Sequence, residues 1–144
     1  MKKLLFVFIL TIPVFAFAQT EKKLIEQAEK NWTIYLQTKQ LDKAVDQYTN
    51  DAVFYSPDGK SFKGKKAIGR LYKTVMKTYN SKLKFYSNGI TVTGDAASDS
   101  GSYTETMQDA TTRKSLKLKG SYLIALQKQK GDWKISRIMW TAGK

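Results

Sequence analysis

A single carboxylate, Glu105, is the residue of this sequence best suited to acid–base chemistry. It alternates with Tyr103 and Met107, so a β-strand would put these three side chains on one face. If that face is the inner one, burial would raise the pKa of the carboxyl toward the value that a general acid or base needs. The sequence contains neither His nor Cys, which excludes the usual neutral-pH proton shuttle and thiolate chemistry.

Ser56 is a second polar residue in a position that could face a pocket. It follows an apolar strand and opens the sequence Ser56-Pro57-Asp58-Gly59, in which proline and glycine favour a tight turn. A serine becomes a nucleophile only beside a base, and no histidine is present to supply one. We therefore interpret Ser56 as a hydrogen-bonding group of a pocket.

The other carboxylates have the surroundings of structural or solvated residues. Asp51 is interpreted as a capping or turn residue and Asp58 as a turn residue. Solvated side chains are predicted for Asp95, Asp99, Asp109 and Asp132. The 12 acidic residues show no clustered spacing typical of a metal site, and no glycine-rich loop could hold a phosphate. We expect neither a metal nor another cofactor.

Aromatic side chains recur along the chain at positions that could converge on one cavity. The predicted lining consists of Trp32, Tyr35, Tyr48, Phe54, Tyr72, Tyr103, Tyr122 and Trp140, with Ser56 and Glu105 as polar groups that orient a ligand. An apolar, concave wall with a few polar groups is how small-molecule sites are built. The alternative is that these rings simply fill the core.

Hydrophobic periodicity predicts helices first and a long sheet afterwards. Helices are predicted at residues 21–39, 41–48 and 64–79, and strands at 52–55, near 62, and at 82–93, 97–108, 114–130 and 133–141. The apolar parity switches at Asn88-Gly89 and again between Ile135 and Ile138, which predicts bulges that bend the strands. Segregated helices and strands of this kind are typical of the α+β class.

The first 18 residues have the pattern of a signal peptide. Met1-Lys2-Lys3 precedes an apolar segment, and Ala16-Phe17-Ala18 matches the small-x-small cleavage site. Cleavage after Ala18 would leave one domain, residues 19–144, in the periplasm or secreted, with no membrane attachment.

The chain is strongly basic, with a formal net charge of +13. Its 25 lysines and arginines are spread along the whole sequence and do not form one basic run. This distribution favours a solubilising surface over a specific nucleic-acid site.

Several short motifs, taken in order, resemble the nuclear transport factor 2-like superfamily, which includes ketosteroid isomerases and SnoaL-like polyketide cyclases. They are Trp32, Leu41-Asp42, Tyr48-x-x-Asp51-Ala52-Val53, Ser56-Pro57-Asp58-Gly59, Gly64-x-x-Ala67-Ile68, Gly120-Ser121-Tyr122, and Gly131-Asp132-Trp133-Lys134-Ile135 with Trp140. The resemblance covers essentially the whole predicted mature chain. It implies a cone-shaped, curved antiparallel sheet packed against three N-terminal helices (a cystatin-like architecture), a cavity between them, and homodimers through the outer face of the sheet.

The chain departs from the isomerase branch at the positions that carry its chemistry. That branch has an aspartate base at the position of Ser56 and a tyrosine at the position of Trp32. Its second oxyanion donor, a protonated aspartate, falls near Ile124. A serine hydroxyl is no base near neutral pH, and an indole N–H lacks the acidity that matches an enolate.

We therefore expect an exported domain that binds a small apolar or aromatic molecule and forms a homodimer. One alternative is an isomerase, cyclase or hydratase that uses Glu105 with Ser56 or a tyrosine. The other is a protein-interaction module whose sheet face or basic surface meets a partner.

Overall fold

The computed structural model describes residues 14–143, with side chains from residue 18 onward. Residues 1–13, which carry most of the predicted signal peptide, lie outside the described residues. The elements in chain order are α1 (Val14–Gln37), α2 (Leu41–Asp46), β1 (Tyr48–Tyr55), β2 (Ser61–Lys63), α3 (Gly64–Thr78), β3 (Tyr79–Thr93), β4 (Ala96–Asp109), β5 (Ser115–Gln129) and β6 (Asp132–Ala142).

The helices bury one face each, as their periodicity predicts. In α3 the buried residues Ile68, Tyr72 and Met76 are four positions apart, so they form one stripe on the helix. The helix ends where Tyr79 takes extended backbone angles and begins β3. Within residues 14–143, none of the helices combines the length and apolar character needed to span a bilayer.

The sheet has six strands in the order β2-β1-β6-β5-β4-β3. Strands β3 to β6 form an antiparallel meander, and the predicted α+β class with its curved sheet is confirmed. The pairing of β3 with β4 shifts register between Ser87 and Gly89, and that of β5 with β6 shifts between Ala125 and Leu126. These irregularities confirm the two bulges that the parity switches predicted.

Two details of the prediction are wrong. The second helix ends at Asp46, because Tyr48 already belongs to β1 and pairs with Ile135 of β6. That pairing is parallel, so the sheet is mixed and not fully antiparallel. Hairpin turns impose antiparallel pairing only on consecutive strands, and β1 and β6 are far apart in the chain.

An aromatic wall crosses the interior between the helices and the sheet; it consists of Trp32, Phe85, Tyr103, Tyr122 and Trp140. Phe85 lies at its centre, with ring centroids 5.8 Å from Trp32, 4.6 Å from Tyr122 and 5.4 Å from Trp140. Tyr103 meets Trp140 edge to face at 4.6 Å. Edge-to-face and tilted contacts of this kind suit aromatic quadrupoles, so the wall is a packed, stable partition.

Candidate functional site

The α3 cavity, as we name the hollow between α3 and the inner face of the sheet, has a volume of about 220 Å³. Its lining is apolar apart from a few hydroxyl groups and one carboxyl group. The lining residues are Leu36, Phe54, Ser56, Pro57, Leu71, Tyr72, Val75, Met76, Tyr79, Ser81, Leu83, Tyr103, Glu105, Met107, Leu118 and Trp140. Helix α3 supplies one side of this space, and strands β3 and β4 supply most of the other.

Glu105 contributes the single carboxyl group among these lining residues. It is half-buried on β4, and the hydroxyl of Ser81 on β3 donates a hydrogen bond to its Oε1. No described residue hydrogen-bonds its other oxygen, Oε2. Burial raises the pKa of Glu105, and the Ser81 hydrogen bond opposes part of that rise. The carboxyl is thus held by one neighbour and keeps one oxygen available.

The tyrosines of the cavity differ in how their hydroxyls are used. The hydroxyl oxygens of Tyr72 and Tyr48 lie 2.5 Å apart in a hydrogen bond, which ties Tyr72 back to the core. Burial raises the pKa of both phenols, so both stay neutral, and one hydroxyl donates to the other. Tyr103 makes no hydrogen bond to a described residue, and burial together with the charge of Glu105 raises its pKa. Its hydroxyl therefore accompanies Glu105 as a polar group of the cavity.

Ser56 lies at the rim of the α3 cavity, but its hydroxyl is already bonded within its turn. It donates to Asp58 and lies 3.1 Å from the carbonyl oxygen of Lys60. Contacts with Lys60 and Ser56 lower the pKa of Asp58 to about 2, so this carboxylate is too weak a base to activate the serine. The turn explains the serine at this position without a chemical role.

The other predicted lining residues do not share this cavity. Trp32 has no exposed surface and does not reach the cavity. It lies in the aromatic wall, where its ring contacts Tyr48 and Phe85. Tyr48 is equally buried, and Tyr35 packs beside Lys43, whose ammonium lies 5.7 Å from the ring centroid. Trp32 on α1 and Tyr48 on β1 belong to the core, and Tyr35 lies at its edge.

Tyr122, also predicted to line the pocket, faces a different space, which we call the α1 cleft. This cleft, of about 280 Å³, is bordered by α1 and the far half of the sheet. Its lining residues are Glu26, Glu29, Lys30, Thr33, Ile34, Phe85, Ser87, Asp99 and Tyr122. Phe85 and Tyr122 separate it from the α3 cavity, on the opposite side of the aromatic wall.

Asp99 is buried in the α1 cleft, so the prediction of a solvated side chain is wrong. Its relative solvent exposure is 1%. It accepts hydrogen bonds from the hydroxyls of Ser87 at 2.5 Å and of Tyr122 at 2.6 Å. Glu29 of α1 faces it with Oε1 buried and without a hydrogen bond. Burial and the proximity of Asp99 raise the pKa of Glu29 to about 8. Glu29 is therefore mostly protonated near neutral pH, beside the hydrogen-bonded carboxyl group of Asp99.

Periodicity contained a signal for Asp99, Ser81 and Glu29, since each has the spacing of buried residues on its own strand or helix. Asp99 has the same parity on β4 as Tyr103 and Glu105, which places it on the inner face. Ser81 reaches Glu105 only through the register of β3 with β4. Among the described residues, no three ligand-type side chains are grouped closely enough to hold a metal ion.

Comparison with known proteins identifies a family to which this chain is similar. The profile of the SnoaL-like domain matches residues 20–139. No curated protein sequence matches the chain significantly.

Solved structures of this architecture are similar over most of their length. A ketosteroid isomerase-like protein from Erwinia carotovora atroseptica is 19% identical with a TM-score of 0.76, covering 86% of this chain and 97% of its own. A nuclear transport factor 2-like protein from Salmonella enterica is 19% identical with a TM-score of 0.78, covering 88% and 93%. A hexachlorocyclohexane dehydrochlorinase is 15% identical with a TM-score of 0.74, covering 88% and 87%. At these identities the likeness shows a shared fold.

Proposed function

Because the chain belongs to the SnoaL-like domain family, we propose that it binds a small apolar or aromatic molecule in the α3 cavity. The observation that carries this proposal is an apolar hollow of about 220 Å³ with one carboxyl group in its lining. Moving the apolar surface of a ligand from water into such a cavity is favourable in free energy, and the few polar groups fix the orientation of the ligand. Phe54, Tyr103 and Trp140 offer ring faces and edges for this contact.

A matched pair of tryptophan substitutions tests this function. Leu118 lines the α3 cavity, whereas Leu123 on the opposite face of β5 is 47% exposed. We expect small apolar compounds to raise the melting temperature of the wild type and of Leu123→Trp, because ligands that bind only the folded state stabilise it. Leu118→Trp fills the cavity and abolishes the shift. If no compound distinguishes these two variants, the cavity is not a binding site.

The second candidate function is acid–base catalysis of the isomerase, cyclase or hydratase type. It is favoured by the position of Glu105, since burial that raises the pKa of a carboxyl suits it to proton transfer. A protein of similar fold is named as a dehydrochlorinase, an enzyme of elimination chemistry. Under this hypothesis Glu105→Gln abolishes turnover of a bound compound and retains binding; turnover that survives the substitution would reject it.

Export and dimerisation complete the proposal. The charged start, apolar run and Ala16-Phe17-Ala18 support removal of residues 1–18 and a periplasmic or secreted protein. N-terminal sequencing of protein recovered from the producing cells tests this, with Gln19 as the expected first residue.

The outer face of the sheet supports a homodimer. Leu123 and Met139 are register partners there, with exposures of 47% and 44%. Adjacent exposed apolar side chains favour burial in an interface. We expect Leu123→Lys to sediment as a monomer and Leu24→Lys, an equally exposed leucine on α1, to sediment as the wild type does. Equal sedimentation of both variants would exclude this face.

A further inference from the structure

We propose that the ligand of the α3 cavity is a neutral, single-ring aromatic molecule with one hydroxyl group, that is, a phenol whose hydroxyl meets Glu105. This inference rests on the proposed binding function and specifies the chemical class of the ligand. Three properties of the cavity carry it: its volume, the hydrogen bonds that its polar groups still lack, and the charges of its lining.

The volume of the α3 cavity fits a ligand with a single aromatic ring. A cavity of about 150 Å³ lined by aliphatic and aromatic side chains accommodates benzene, and drug-sized ligands occupy pockets of about 300 Å³ or more. The α3 cavity, at about 220 Å³, lies between these values. It therefore has room for a benzene ring with a hydroxyl and a short substituent, but a fused four-ring molecule exceeds it.

The polar groups of the cavity that lack hydrogen bonds favour a ligand with a hydroxyl group. Tyr72 is bonded to Tyr48, and Ser56 is bonded within its turn. Ser81 donates to Oε1 of Glu105. This leaves Oε2 of Glu105 as an acceptor and, as donors, the nearby hydroxyl of Tyr103 and the buried indole N–H of Trp140, for which no described residue supplies a hydrogen bond. A ligand hydroxyl donates to this acceptor and accepts from one of these donors at the same time, whereas a carbonyl only accepts.

The charges of the lining select a neutral molecule. No lysine or arginine is among the residues that line the α3 cavity, although the chain carries a net charge of +13. A carboxylate ligand would be buried beside Glu105 without a cation to balance it, which is strongly unfavourable. A phenol stays uncharged near neutral pH and remains compatible with Glu105 in either protonation state.

The ligand class is tested with four probes: phenol, toluene, benzoate and estradiol. Toluene has nearly the shape of phenol and lacks its hydroxyl, benzoate adds a negative charge, and estradiol is a phenol with three further rings. Binding is followed through the indole N–H resonances, because Trp140 lines the cavity whereas Trp133 is bonded to Glu21 elsewhere and serves as an internal reference. Wild type, Glu105→Leu, Leu118→Trp and Leu123→Trp are compared.

We expect phenol to shift the Trp140 resonance and to bind about tenfold more tightly than toluene, the effect of one hydrogen bond to a carboxyl group. Glu105→Leu removes this preference and retains toluene binding, which shows that the variant is folded. Benzoate and estradiol leave the Trp140 resonance unchanged. Equal affinities for phenol and toluene in the wild type, or tighter binding of benzoate or estradiol, would overturn the ligand class.

The two proposals fail in different ways. If estradiol or benzoate binds in a manner that Leu118→Trp abolishes and Leu123→Trp preserves, the cavity binds small molecules but the phenol assignment is wrong. If none of the four probes gives a response that distinguishes these variants, the phenol assignment falls, and the wider compound screen described above decides the binding function by itself.

Discussion

The α3 cavity and the α1 cleft lie on opposite sides of one aromatic wall, and they differ in the hydrogen-bond donors that surround their carboxyl groups. In the α3 cavity, Glu105 accepts a hydrogen bond from one hydroxyl, that of Ser81, and its other oxygen has no donor among the described residues. In the α1 cleft, Asp99 has two hydroxyl donors, and Glu29 has a carboxyl neighbour. Asp99 and Glu105 occupy the same face of β4, six residues apart. Their different surroundings come from the elements packed over that face.

Under the proposed function, this difference gives the α3 cavity a binding role and the α1 cleft a structural role. The α3 cavity leaves a carboxyl oxygen and a tyrosine hydroxyl for a ligand. In the α1 cleft Tyr122 and Ser87 are both bonded to Asp99, so these polar groups are used internally, whereas Oε1 of Glu29 is buried without a hydrogen bond. Substitutions on each side of the wall should therefore affect different properties: stability and its pH dependence in the cleft, and the pKa of Glu105 with ligand binding in the cavity.

The largest effect is expected for Glu29→Gln. The pKa of Glu29 rises from 4.5 to about 8 on folding, because of burial and the proximity of Asp99. Between these values the folded protein holds a proton that the unfolded chain releases, so stability falls as pH rises from 4.5 to about 8 and then levels off. Glutamine removes this loss, and we expect a gain on the order of a few kcal/mol at pH 8 and little gain at pH 4.

Urea unfolding at a series of pH values measures the difference between wild type and Glu29→Gln. Glu26→Gln is the matched control, since Glu26 lies in the same cleft one turn earlier on α1 and is exposed. We expect the control to keep most of the wild-type pH dependence. A pH dependence of Glu29→Gln identical to that of the wild type would mean that the cleft does not perturb this carboxyl.

The next effect is expected for Tyr122→Phe. The lost hydroxyl donates to the buried Asp99 carboxyl group at 2.6 Å, and leaving a buried acceptor without its donor costs about 1–3 kcal/mol. The remaining Asp99 oxygen would be buried without its donor. We expect urea unfolding at pH 7 to show a loss of stability within that range; a loss below about 0.5 kcal/mol would argue against a buried hydrogen bond between Tyr122 and Asp99.

A smaller loss is expected for Tyr72→Phe, the corresponding tyrosine of the α3 cavity. Its hydroxyl bonds Tyr48, a neutral partner, and such a bond contributes about 1 kcal/mol. Because this hydroxyl is bonded to the core, phenol binding should remain within about twofold of the wild type. A strong loss of phenol affinity would show that Tyr72 contacts the ligand.

The smallest effect on stability is expected for Ser81→Ala, whose main consequence is a pKa change. Burial raises the pKa of Glu105 and the Ser81 hydrogen bond lowers it, so alanine should raise the pKa further. Carbon-detected NMR titration of the Glu105 carboxyl measures this shift. Ser102→Ala, an exposed serine of β4, is the control and should leave the titration unchanged. A lowered pKa in Ser81→Ala would contradict the hydrogen bond.

Much of the architecture could be predicted because its signals are local. Alternation over Tyr103, Glu105 and Met107 predicts a shared strand face, and all three line the α3 cavity. The same alternation includes Asp99, but the expectation that an aspartate is solvated led to the wrong prediction for that residue. Burial of Asp99 depends on donors from Ser87 and Tyr122, which are 12 and 23 positions away in the chain.

By itself, the sequence determined which residues share a helix stripe or a strand face, where the strands bulge, and that the chemistry of this protein excludes histidine and cysteine. These properties follow from backbone periodicity and composition, which act over a few residues. The tertiary structure decided which inward-facing side chains meet empty space and which meet one another. Trp32 on α1 and Tyr48 on β1 became core because helix and sheet pack directly against each other there, and Glu105 kept one oxygen without a donor because a cavity separates β4 from α3. Such distances are set by the packing of whole elements, and no local pattern encodes them.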